Sequence, residues 1–176
     1  MKPNLFLLGA QKSGSTFLRY SLNQHPDISI NSLEDKTFED PEYKQYNGDF
    51  RHLDKKTEKI FYGIARPDYF GELKYMKRIK KYSPDSKIII VLRDPTLRAI
   101  SSYYHYMKYG IIPAKHPNYL LKIFSENFQN SKYYAYLCIK KYGLYFKQLK
   151  RLYTLFRKEN VIIIKFDDLV SENNHL

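Results

Sequence analysis

A lysine lies inside a small-residue turn in the stretch "FLLGAQKSGSTFLRYSL", residues 6–22. Gly9 and Gly14 have the spacing of a mononucleotide-binding loop, but Ser15-Thr16 follow Gly14 directly, and the lysine, Lys12, has moved into the loop. Two glycines let a backbone turn tightly and approach a ligand. The amides of Ser13, Gly14, Ser15 and Thr16 can point at an anion, helped by the positive end of the helix that follows. Ser15 and Thr16 add hydroxyl donors, and Lys12 adds a full charge to the same cradle. A plain helix cap beside a solvent-facing lysine would use the same residues.

A second candidate is "RDPTLRAISSYYHY", residues 93–106. Arg93 follows a strand-like run, where a guanidinium can clamp a phosphate through two parallel hydrogen bonds. Arg98 and Ser101 are three apart and share a helix face. The ordinary alternative for any one of these arginines is a pairing with a nearby carboxylate.

The elements that must position these residues follow from the pattern of the chain. Residues 5–8 are a short apolar run, read as a buried strand. A helix follows from Thr16, with Phe17, Leu18, Ser21 and Leu22 on one face, and "HPD" (25–27) ends it. "ISI" (28–30) predicts a short strand. Residues 31–59 are acidic and aromatic, read as a long functional loop with about one helical turn. A strand fragment and a turn are expected over 60–70, and a basic helix over 71–82. "KIIIVLRDP" (87–95) is a continuous β-branched run, as in a strand buried on both faces. Asp94 caps the next helix, Pro95 suits its first position, and Gly110 stops it. Helices are expected near 117–129 and 131–157, and a last buried strand at "NVIIIKF" (160–166). This order predicts an α/β fold with a mostly parallel sheet. Ligands then belong at the carboxyl ends of the strands, where both candidate motifs lie.

Composition narrows the class. With 43% apolar residues in 176, the chain is read as one globular domain. Its apolar runs are too short to span a bilayer, and no secretory leader is seen, so a soluble, cytoplasmic protein is expected. The single cysteine, Cys138, rules out an intrachain disulfide and a cysteine-rich metal site, and reads as a buried structural thiol. The five histidines read as surface or structural. A net charge of +12 suggests anionic partners, although a lysine-rich compositional bias also accounts for it.

Taken together, the two motifs resemble the sulfotransferase family that uses 3′-phosphoadenosine 5′-phosphosulfate, nearest to its heparan-sulfate type and bacterial relatives. The loop "GAQKSGST" is similar to that family's Gly-x-x-Lys-x-Gly-Ser/Thr loop. "RDPTLRAISSY" matches its Arg-Asp-Pro-x-x-Arg-Ala-x-Ser-x-Tyr segment at every fixed position. The resemblance runs on through "NQHPDI", "RPDYF" and "VIIIKFDDL". It implies a three-layer, P-loop-like fold with a central, mostly parallel sheet flanked by helices. It also implies a sulfuryl donor bound without metal, and a hydroxyl or amine acceptor, here a carbohydrate. Lys12, Ser13, Gly14, Ser15 and Thr16 carry over as ligands of the phosphosulfate. Arg93 and Ser101 carry over as ligands of the 3′-phosphate, and Lys12 as the group that stabilises the departing oxygen. "LEDKTF" (33–38) stands where relatives place Lys-Glu-x-x-Phe-Phe, making Glu34 the candidate base, with Asp35 as the neighbour that could replace it. Relatives continue beyond "VIIIKFDDL", so an incomplete acceptor cleft, exposed apolar surface and self-association are expected. Against an ATP-dependent kinase, no lysine follows Gly14. Against a nucleic-acid-binding module, no finger, RNP or arginine-rich motif is present.

Overall fold

The computed structural model describes residues 2–41, 58–125 and 134–171. Five strands form one sheet in the order β2-β3-β1-β4-β5, and every pairing is parallel. They are β1 (Leu5–Gly9), β2 (Ile28–Ile30), β3 (Phe61–Ala65), β4 (Lys87–Leu92) and β5 (Val161–Lys165). Seven helices accompany them among the described residues: α1 (Ser15–Leu22), α2 (Leu73–Tyr82), α3 (Pro95–Lys108), α4 (Tyr119–Ser125), α5 (Tyr134–Lys141), α6 (Tyr145–Leu155) and α7 (Phe166–Ser171).

Strand periodicity divides the core into two layers. Phe6 and Leu8 of β1 face one side, with Ile64, Ile88 and Ile90, and α2 and α6 close it with Met76, Ile79 and Leu152. Leu5 and Leu7 face the other side, with Ile89 and Val91, under Leu18 of α1 and Leu169 of α7. A third cluster joins α3 to α4 and α5 through Tyr103, Leu120 and Ile139. The expected three-layer α/β/α architecture is therefore present, and its sheet is wholly parallel.

Most local signals act where the sequence puts them. Asp94 caps α3, its Oδ1 accepting from the Leu97 N–H at 2.8 Å, and Gly110, with φ +66°, follows the end of that helix. The acidic loop contributes one 3₁₀ turn, Thr37–Glu39. The remainder of that loop, 42–57, lies outside the described residues, as does the link between α4 and α5.

Three expectations change. The helix expected over 131–157 is two helices, broken at Tyr142–Leu144. Gly143 weakens the helix there, and a Cβ on it would stand 3.5 Å from the buried Arg98 guanidinium. β5 is not buried: it lies at the sheet edge, with Ile162 51% and Ile163 40% exposed. A continuous β-branched run reports strand propensity, not which faces are covered. Phe17 is also exposed, whereas the neighbouring Arg19 is buried.

Candidate active site

The carboxyl ends of β1 and β4 place the two motifs side by side. Ala10 donates its N–H to the Val91 carbonyl at 2.7 Å, carrying the pairing of β1 with β4 into the loop. Close packing fixes the start of that loop: a Cβ on Gly9 would lie 2.9 Å from the Pro67 carbonyl oxygen. Lys12 takes φ +65° and Gly14 φ +81°, so the backbone reverses twice in the left-handed region before α1 begins. The N–H groups of the first turn of α1 have no intrahelical acceptor, and Gly14, Ser15 and Thr16 line a cleft of about 820 Å³.

Lys12, Arg93, Ser101 and Glu34 line the same cleft. Arg93 Nη1 donates to the Lys12 carbonyl at 3.4 Å, and its guanidinium lies 4.5 Å from the Phe166 ring centroid. Its Nε is buried without a hydrogen-bond partner among the described residues. Ser101 is half-buried on the cleft side of α3. Ser13 is placed differently: its side chain is fully buried and its N–H donates to the Ala10 carbonyl at 3.2 Å. That amide is occupied in closing the turn, and Ser13 does not line the cleft.

The two acidic candidates part company. Asp35 is buried, and its Oδ1 accepts from the Thr37 N–H at 2.8 Å, while its carbonyl accepts from the Tyr69 hydroxyl at 2.6 Å. These bonds anchor the turn. Glu34 points into the cleft and pairs with Arg66 Nη1.

Several cleft residues lay outside the sequence-based site. Arg66, just after β3, also meets Glu39 at 2.5 Å and Asp68 at 2.8 Å, so three carboxylates converge on one guanidinium. Burial disfavours its charge, but the Glu39 hydrogen bond and the fields of Asp68 and Glu39 outweigh it and hold its pKa above the ordinary value. Asp68 is pushed up by burial, with Arg66 opposing and Glu39 and Glu34 reinforcing the rise. Gln11 bridges the motifs. Its Nε2 donates to Asp68 at 3.0 Å and to the Tyr106 hydroxyl at 3.1 Å, and its Oε1 accepts from Ser102 at 2.9 Å.

His105, read from sequence as surface or structural, stands with its Nδ1 3.3 Å from Lys12 Nζ. Burial lowers the His105 pKa first, and the Lys12 charge lowers it further. The Lys12 pKa is itself lowered, chiefly by burial, with Glu34 opposing and Lys108 and Arg93 adding to the effect. The available signal was spacing: His105 lies one helical turn beyond Ser101 on the same face of α3. Among the described residues no His, Cys, Asp and Glu side chains are grouped to hold a metal ion, and no helix is long and apolar enough to cross a membrane.

A parallel α/β sheet with an anion-cradling loop after its first strand, and a basic strand end beside it, defines a P-loop-like protein. Within that class the chain belongs to the family described as Sulfotransferase domain, whose model it matches over residues 2–175. A sulfotransferase from Alicyclobacillus acidocaldarius superposes with a TM-score of 0.79 at 28% identity, covering 98% of this chain and 76% of that one. The bifunctional heparan sulfate N-deacetylase/N-sulfotransferase 1 of Xenopus laevis is 32% identical over 114 residues, 58% of this chain. The chain spans 13% of the length of that relative. The heparan sulfate glucosamine 3-O-sulfotransferase 3B1 of Mus musculus is 34% identical over 102 residues, 57% of this chain and 26% of that protein.

Proposed function

We propose that this chain transfers a sulfuryl group from 3′-phosphoadenosine 5′-phosphosulfate to a hydroxyl or amine of a carbohydrate. The observation that carries this reading is one cleft lined by Lys12, the first turn of α1, Arg93, Ser101 and Glu34. The residues suit an anionic nucleotide: Arg93 keeps a buried Nε without a hydrogen-bond partner among the described residues, and Gly14 holds the left-handed geometry that opens the start of α1.

When bound, the donor supplies the sulfuryl group, whose bond to the bridging oxygen breaks as a bond to the acceptor oxygen or nitrogen forms. Gly14, Ser15 and Thr16 hold the phosphosulfate end through free amides and hydroxyls, and Ser13 keeps the turn closed beneath them. Arg93 and Ser101 hold the 3′-phosphate. Lys12 places its ammonium where negative charge builds on the departing oxygen, so its attraction is strongest in the transition state. Glu34 takes the acceptor proton. Its position on the cleft, against the anchoring role of Asp35, favours it as the base. The relatives named for heparan sulfate support a carbohydrate acceptor.

Calorimetry without magnesium tests the donor. Adenosine 3′,5′-bisphosphate is expected to bind more tightly than AMP or ATP, and transfer of labelled sulfate to a glycan is expected to follow. Equal affinity for AMP and the bisphosphate would overturn the assignment of Arg93 and Ser101.

A further inference from the structure

The tip of the loop after β1 carries Lys12 in a conformation that lysine does not favour. Ser13 donates its N–H to the Ala10 carbonyl at 3.2 Å, so Gln11 and Lys12 are the two central residues of a turn. Lys12 takes φ +65° at the second of these positions, where turns of positive φ usually have Gly or Asn. An L-residue keeps such a backbone only where its surroundings impose it. The hydrogen bond from Arg93 Nη1 to the Lys12 carbonyl is long, at 3.4 Å, and holds the turn weakly.

The Gln11 side chain supplies the firmer hold. Its Oε1 accepts from Ser102 at 2.9 Å, and its Nε2 donates to the Tyr106 hydroxyl at 3.1 Å and to Asp68 Oδ1 at 3.0 Å. Ser102 and Tyr106 are four apart on α3 and share a face, and His105, which meets Lys12, adjoins Tyr106 in the chain. Asp68 decides which way round the amide sits. Its Oδ2 pairs with Arg66 Nη2 at 2.8 Å, and an ionised carboxylate only accepts, so the Gln11 amino group faces it and the Gln11 oxygen faces Ser102. Asp68 is itself fixed. It stands on the 3₁₀ turn Pro67–Gly71, where Pro67, Tyr69 and Phe70 are buried, and the preceding Arg66 N–H donates to the Leu7 carbonyl at 3.0 Å. Both amide hydrogens of Gln11 and its oxygen are therefore engaged by the protein.

We infer that Gln11 is a positioning residue: it clamps the loop to α3 and to Asp68, and thereby holds the Lys12 ammonium against His105 in the cleft. The clamp rests on these hydrogen bonds alone, whereas the use made of it, the stabilising of a departing oxygen by Lys12, rests on the sulfotransferase reading above. A donor to a developing charge works best when it is in place before the charge appears, and a displacement of about 1 Å can cost 10²-fold in rate. With Gln11 tied down on one side and His105 facing the ammonium on the other, the turn keeps a lysine where glycine would be easier.

NMR titration of the free chain tests the clamp with neither donor nor acceptor present. The His105 signal is identified by its loss in His105→Gln. Besides burial, its pKa responds to Lys12, Glu34 and Lys108, and of these only Lys12 stands on the loop that Gln11 holds. Gln11→Ala is expected to raise the His105 pKa by at least half of the rise that Lys12→Ala produces, and to leave the other histidines unmoved. Ser102→Ala removes one of the three bonds and is expected to give a smaller rise; it decides the matter if Gln11→Ala does not fold. In Gln11→Ala, adenosine 3′,5′-bisphosphate affinity is expected to stay within about 3-fold of wild type by calorimetry, while release of labelled sulfate from the donor to water slows about 10- to 100-fold. An unmoved His105 pKa in the folded variant, no rise in Lys12→Ala, or a bisphosphate affinity that falls as far as the rate overturns the inference. Failure of the wild-type chain to bind the bisphosphate overturns the donor reading instead, and the His105 shifts still decide the clamp.

Discussion

Lys12 Nζ and His105 Nδ1 stand 3.3 Å apart, a cation from the loop after β1 facing an imidazole from the last turn of α3. The contact holds only while the imidazole is neutral, because its ring nitrogen must accept from the ammonium. Burial and the Lys12 charge lower the His105 pKa below its ordinary 6.5. A depressed pKa on a base means that the folded state resists protonation. The contribution to stability is therefore intact above 6.5 and is lost as pH falls through the folded-state pKa. Sulfate transfer is expected to fall over the same acidic window, and to decline on the alkaline side before the 10.5 of an ordinary lysine. A pH–rate profile checks both limbs. An unchanged acidic limb in His105→Gln would remove His105 from this account.

Lys12→Ala should slow turnover far more than it weakens nucleotide binding. Removal of one donor to a developing oxyanion costs about 10²–10³-fold in rate. Labelled-sulfate assays beside calorimetry separate the two effects. A mutant at near wild-type rate would reject the assigned role.

Arg93→Ala should erase most of the preference for adenosine 3′,5′-bisphosphate over AMP. A hydrogen bond to a charged group is worth about 1.5–3 kcal/mol, roughly 10- to 150-fold in affinity. AMP binding should change little, and competition between the two nucleotides reads the difference directly.

Tyr69→Phe tests how Glu34 is held. The buried Tyr69 hydroxyl donates to the Asp35 carbonyl and accepts from the Phe38 N–H at 3.0 Å, tying down the turn that follows Glu34. Removing it leaves a buried N–H unsatisfied, at about 1–3 kcal/mol. Chemical denaturation should show that loss, and kcat should fall while bisphosphate affinity stays the same. An equal fall in bisphosphate affinity would mean that the turn supports the donor cradle instead.

Gly14→Ala tests the loop itself. The position has φ +81°, and an added Cβ would meet the Phe166 ring at 3.1 Å. The left-handed conformation alone costs an L-residue about 1–2 kcal/mol. Bisphosphate binding and thermal stability should both drop, and a fully wild-type melting temperature would show that the loop relaxes without strain.

What the sequence determined by itself is local in origin. The run 87–92 forms a strand because its β-branched residues suit a pleated, buried surface. Asp94-Pro95 starts a helix because one side chain caps it and the other fixes φ. Gly14 marks the loop because few other residues enter the left-handed region cheaply. Each signal acts within a few positions, so Lys12, Arg93 and Ser101 could be picked out in order along the chain. The tertiary structure decided what depends on distance in sequence. Whether Ser101 and His105 face the cleft rests on how α3 is rotated against the sheet, and its own periodicity leaves that rotation free. Arg66 gathers Glu34, Glu39 and Asp68 because β2 and β3 lie side by side, bringing the turn after one strand to the residue that follows the other. Ser13 turns inward because its N–H closes the loop on Ala10. The exposure of Ile162 and Ile163 follows from the place of β5 at the sheet edge, which a β-branched run does not encode. Propensity and capping are properties of a segment, whereas a site is a property of how parallel crossovers bring segments together.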